Sequence, residues 1–156
     1  MPRFALPLLA LLAFAACDSG ASYESTLDPL SRSMLRATSE VPAFGGVAFE
    51  GDRLVVFTLG SQPTAAPVVR TIFGAETDVE VRTRPEAGQG SESLKDAVSA
   101  LGIDGSATVD YDETTGYVRL GVVNAEAVRR ASVALGASDL PATEVIVQVE
   151  SPIVAQ

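Results

Sequence analysis

The sequence predicts an α+β fold made of two tandem ββαβ units, each a hairpin, a helix and a strand in largely antiparallel sheet. One helix precedes the first unit and another links the two. Three observations carry this reading. Thr77 to Arg84 (TDVEVRTR) and Glu144 to Glu150 (EVIVQVE) alternate with the period of a half-buried strand. Glu50-Gly51-Asp52-Arg53 and Asp112 to Gly116 (DETTG) place turn residues between β-rich runs. The same element order then recurs: Val47-Phe49 aligns with Val109-Tyr111 at an offset of 62 residues, and Val55-Phe57 with Val118-Leu120 at 63. The extra residue is assigned to the hairpin turn. A unit of about 40 residues buries too little surface to stand alone, so the two are expected to share a sheet or pack closely.

The elements follow in order. Residues 1–16 have the form of an export signal: Arg3, then an apolar run from Phe4 to Ala16, which is too short to span a bilayer core of roughly 30 Å. The run ends in Phe14-Ala15-Ala16-Cys17, which resembles a bacterial lipobox with phenylalanine where leucine is usual. The resemblance implies cleavage between Ala16 and Cys17 and acylation of the Cys17 thiol and amine, which attaches the chain to a membrane. Cleavage after Ala15 is the alternative, since Ala13-Phe14-Ala15 also fits an A-x-A exit. Asp18 resembles the inner-membrane retention signal of some bacteria, so a periplasmic or an outer location stays open. Residues 17–27 are read as the lipidated N-terminus and a flexible tether, in which Ser19 to Ser25 (SGASYES) are small and polar.

Residues 28–84 hold the first helix and unit. Asp28-Pro29 reads as an N-cap followed by proline at the first helical position, and Leu27, Leu30, Met34 and Leu35 form one stripe that ends before Val41-Pro42. Gly45-Gly46 is read as a sharp entry into the first strand. Thr64 to Phe73 spaces Val68, Val69 and Ile72 as a helix does, and Gly74 stops it. Residues 85–106 comprise a breaker-rich linker (PEAGQG) and an amphipathic helix with Leu94, Val98 and Leu101 on its core side. Residues 107–150 form the second unit, in which Asn124 caps a helix that Gly136 is expected to end. Residues 151–156 are a tail.

Charge and composition exclude several functions. The formal net charge is −9, and Arg3 is the only charged residue within the first 16, so the remainder is more acidic still. Such a chain repels phosphate backbones, and nucleic-acid binding is not expected. The single cysteine permits no intrachain disulfide, and with no histidine in the chain Cys17 lacks a base or a nitrogen co-ligand for a metal.

Three motifs invite a catalytic reading. Asp110-Tyr111-Asp112-Glu113-Thr114 matches the D-x-D-x-T string of haloacid-dehalogenase-type phosphatases, but it runs directly into Thr115-Gly116 and an alternating strand, which is hairpin-turn chemistry. Asp110, Asp112 and Glu113 lack the spacing of an EF-hand loop. Ser93 and Lys95 stand two apart on a helix and so face different ways, which opposes a Ser–Lys dyad. Asp78, Glu80 and Arg82 read as the wet face of a strand. No catalytic residue, cofactor or metal is expected.

The duplicated order, the opening Phe44-Gly45-Gly46-Val47 and the hairpin at Asp112 to Gly116 resemble the pro-regions of bacterial secreted serine proteases of the alpha-lytic and streptogrisin type. The resemblance covers Val41 to Val154. It implies a folding chaperone or inhibitor whose C-terminal tail lies in a protease active site. On that basis Pro152, Ile153, Val154, Ala155 and Gln156 form a candidate partner-binding segment that acts in trans on a secreted serine protease. The functional expectation is a cell-envelope lipoprotein carrying a non-catalytic binding or structural module. A propeptide-like role comes second and a carboxylate-dependent hydrolase third.

Overall fold

A computed structural model describes residues 23–152. Helix α1 (Pro29–Glu40) starts where Asp28 accepts a hydrogen bond from Ser31 N at 3.0 Å. Strands β1 (Phe44–Glu50) and β2 (Arg53–Leu59) form the first hairpin, and α2 (Ala65–Phe73) and β3 (Val79–Arg84) complete the first unit. Helix α3 (Glu92–Ala100) is capped by Ser91, whose hydroxyl accepts from Leu94 N at 3.1 Å. The second unit is β4 (Ser106–Asp112), β5 (Tyr117–Val122), α4 (Ala125–Ala137), a 3₁₀ turn (Ala142–Glu144) and β6 (Val145–Val149). Asn124 caps α4 by accepting from Ala127 N at 2.9 Å.

The predicted α+β class with two ββαβ units is the observed architecture. The six strands form two three-stranded sheets, ordered β1-β2-β3 and β4-β5-β6. Each hairpin pair is antiparallel, and each third strand lies parallel to the second. The crossover explains the parallel pairing: a helix between two strands returns the chain to the starting end of the sheet.

The register corrects the repeat. Val47 faces Val56 and Val109 faces Leu120, so the second hairpin strand is offset by 64 residues rather than 63. The turn is accordingly longer by two residues, Gly51-Asp52 in the first unit against Glu113 to Gly116 in the second. Parity requires this, because a one-residue change would turn every valine of the strand to the opposite face.

Leu54, Val56, Val118, Leu120 and Val122 point into one continuous core with Met34 and Ala37 of α1, Val69 and Ile72 of α2, and Val128 and Ala131 of α4. The units therefore share a core without sharing a sheet. The opposite faces are only partly wet. Val55 and Ile146 are both 0% exposed there. Tyr117 is buried with its hydroxyl donating to Pro85 O at 2.7 Å, which ties the linker to the second sheet.

Two glycine expectations change. Gly136 does not end α4, which continues to Ala137 with Ser138 as C-cap. Gly46 lies within β1 at φ +108°, and a Cβ there would stand 3.2 Å from Val147 N and 3.3 Å from Ile146 Cα. It is a point of close approach of β1 to β6, as well as the entry to a strand.

Candidate functional site

The site begins where the two sheets meet without pairing. Of the strands, β1 pairs with β2 only and β6 with β5 only, so the edges of β1 and β6 meet without a ladder between them. Beside this boundary lies a cleft of about 330 Å³. Val47, Val145 and Val147 line it, with Phe49 and Phe57 and the C-terminal half of α4 at Ser132 and Leu135. The walls are largely apolar because alternate residues of both sheets are valine or phenylalanine.

Backbone polarity at this edge follows from the hairpin. Glu50 and Arg53 form its last pair, so the alternation of the antiparallel ladder turns the N–H and C=O groups of Val47 and Phe49 outward. The structure agrees at Phe49, whose N–H donates to Ser132 Oγ at 2.9 Å. That hydroxyl in turn donates to Val128 O at 2.9 Å within α4.

Arg84 stands at one end. Its Nη1 donates to Val145 O at 2.7 Å and to Gly45 O at 3.2 Å, so one guanidinium bridges β6 and β1. Its Cζ lies 4.0 Å from the centroid of the Phe57 ring. Burial lowers the pKa of Arg84, opposed by Tyr117 and Glu144 nearby. A guanidinium keeps its charge through such a shift. Arg84 forms no ion pair among the described residues, whereas Arg82 is held by Glu50 at 2.5 Å and Glu80 at 2.7 Å. Glu144 directs a carboxylate oxygen to Gln89 N at 2.5 Å instead. Arg129, whose Cζ is 3.7 Å from the Phe49 ring, also pairs with Asp52 at 3.8 Å. The cleft therefore joins apolar walls and one half-buried guanidinium.

The residues singled out from the sequence lie elsewhere. Ala16 and Cys17 fall outside the described residues, as do Ile153, Val154, Ala155 and Gln156. Of the tail, Ser151 and Pro152 are described, and both are exposed beyond β6. Asp112 serves its turn: Oδ1 accepts from Thr114 N at 2.9 Å, and Oδ2 accepts from Arg119 Nη2 at 2.9 Å. Burial opposes its ionisation, but Arg119 and the turn N–H groups overcome this and hold its pKa down at about 2. Among the described residues no three metal-ligating side chains gather. Lys95 pairs with Glu92 rather than with a serine, and that bond raises its pKa. The sequence reading passed over Arg84, Phe57 and Ser132. Arg84 ends an alternating strand next to Arg82 and has the same signature as a solvated face.

No helix among the described residues is long and apolar enough to cross a membrane. Compared with protein-family models and with curated proteins, the chain finds no match.

Proposed function

We propose that this chain is a cell-envelope lipoprotein, acylated at Cys17, whose folded part is a non-catalytic binding module. The observation that carries the anchor is the ending Phe14-Ala15-Ala16-Cys17 at the close of a lone apolar run, followed by small polar residues. The start of the folded body is consistent with it. Tyr23 donates its hydroxyl to Val123 O at 2.8 Å, which fastens the chain to the second unit six residues after Cys17. Six residues reach at most about 20 Å. An acyl anchor at Cys17 would thus hold the N-terminal ends of α1 and α4 close to the bilayer. The β1–β6 cleft is the binding element of this reading, because it combines concavity, apolar walls and a charged group that can orient a ligand.

Fractionation tests the anchor. Wild-type protein is expected in the membrane pellet after export, and Cys17→Ala in the soluble fraction. Identical partitioning of the two would contradict the reading.

A second reading, the propeptide-like inhibitor acting in trans, has one observation in its favour: β6 runs straight into the exposed Ser151-Pro152. An apolar segment placed there could add as a strand to a protease cleft. Deleting residues 151–156 should then abolish inhibition of secreted serine proteases. Inhibition unchanged by the deletion, or absent from the intact chain, would remove this reading.

A further inference from the structure

We infer that two copies of this chain associate through β3, which adds antiparallel to the partner's β3 about a two-fold axis at Val81. The inference goes beyond the binding-module reading and rests on neither the anchor nor the cleft.

The edge is open. β3 is an outer strand of its sheet and, among the described residues, pairs with β2 alone. Leu54 N donates to Asp78 O at 3.0 Å and Gly60 N to Arg84 O at 2.8 Å. The parallel ladder therefore takes up the backbone groups of Glu80 and Arg82 and turns those of Val79, Val81 and Thr83 outward. No residue among those described hydrogen-bonds these outward groups. Val79 and Val81 are half-buried and Thr83 is exposed, so none of the three is sealed from an added strand.

Charge selects a second copy. In an antiparallel pair outward residues must face outward residues, so Val81 can stand opposite the partner's Val79, Val81 or Thr83. The first register sets Glu80 against the partner's Glu80, and the third sets Arg82 against the partner's Arg82. The second sets Glu80 against the partner's Arg82 on both sides of the axis and Val79 against the partner's Thr83, with no like charges opposed. Arg82 also pairs with Glu80 and Glu50 of its own chain, in solvent-exposed contacts. The added pairs accordingly fix register more than strength. β4, the other outer strand, carries Asp110 and Asp112 and no cation, so it offers a copy of itself acids alone.

The ladder is short, because Pro85 comes next in the outward series and has no N–H. Apolar surface beside it adds to the contact. A groove of about 460 Å³ lies between α2 and β3, with Ala66, Val69, Val79 and Val81 as its apolar lining and Arg70 and Glu80 as its charged members. A two-fold axis perpendicular to the sheet brings the α2 sides of both copies to one side, so the two grooves meet and the partner's Val81 covers the apolar lining.

The test is sedimentation velocity of the purified full chain, in density-matched detergent where it carries its anchor, from low micromolar to near-millimolar concentration. Wild type should pass from monomer to dimer and stop there. Glu80→Arg sets cations against cations and Arg82→Glu sets acids against acids, so each variant alone should dimerise at least about tenfold more weakly. An equimolar mixture of the two should restore the dimer, because each then faces its opposite. Amide hydrogen exchange on wild type serves if a variant does not fold. Val79, Val81 and Thr83 should slow as protein concentration rises, while Glu80 and Arg82, already bonded to β2, should not change. A chain monomeric throughout, folded variants that dimerise as tightly as wild type, a mixture no tighter than its components, or exchange independent of concentration at the three amides overturns the inference. Assembly beyond two copies overturns it in favour of open, head-to-tail contacts.

Discussion

Arg84 donates to the carbonyl of Val145 at 2.7 Å, and through that bond the last strand of the first unit holds the last strand of the second. No β ladder joins the two sheets, so this guanidinium and the close approach at Gly46 take its place at the β1–β6 boundary. Arg84→Met keeps most of the stem but removes the donors. It should cost about 1–3 kcal/mol, the range for lost charged hydrogen bonds, read as a lower urea midpoint at unchanged slope. An unchanged midpoint would show that the guanidinium does not fasten the sheets.

Two glycines should respond with opposite signs. Gly46→Ala places a Cβ 3.2 Å from Val147 N on a backbone at φ +108°, and should cost about 1–3 kcal/mol. Gly136→Ala adds a Cβ that meets nothing within 4 Å inside a helix, and should gain about 0.5–1 kcal/mol. Thermal melts of both variants decide it. A destabilised Gly136→Ala would return that residue to the helix-ending role its sequence position indicates.

Ser31 links two helix starts. It is 0% exposed, donates to Asp28, and its Oγ accepts from Ala125 N at 2.8 Å. Ser31→Ala leaves that buried N–H without an acceptor, for a loss of about 1–3 kcal/mol. Hydrogen exchange should show faster opening at Ala125 than at the middle of α4. Uniform acceleration along α4, or none, would contradict the link.

The fold was legible because it is written in short periods. Alternating valines in β3 and β6, the caps Asp28 and Asn124, and the turn residues at Gly51 and Gly116 are local signals, and each stands where the sequence places it. The candidate site was not legible, because it arises between elements distant in the chain. Arg84 looks like the solvated end of a strand until β6 is placed beside β1. Ser132 looks like a helix surface residue until the Phe49 N–H reaches it. Gly46 reads as a turn residue, since close approach to another strand leaves no periodic mark. The repeat offset failed for a related reason: sequence similarity tolerates a one-residue slip that the two faces of a strand do not.

Asp112 gives a prediction in pH. Its folded pKa of about 2 lies below the ordinary 3.8, so the unfolded chain takes up the proton first as acid is added. The stabilisation is therefore full above about pH 4 and is lost as pH falls through 3.8 toward 2. Asp112→Asn keeps a carbonyl for the turn N–H groups but loses the charge facing Arg119. It should be less stable than wild type by about 1–2 kcal/mol at pH 7, with the gap narrowing below about pH 4 and closing as pH falls through about 2. A gap that stays constant across that range would show that the charge is not what stabilises the turn.

Mass analysis of the N-terminal peptide from membrane-extracted protein bears most directly on the whole reading. A chain that begins at Cys17 with diacylglycerol on its sulfur is the expected result. A chain that begins at Ala16 with an unmodified thiol would contradict it.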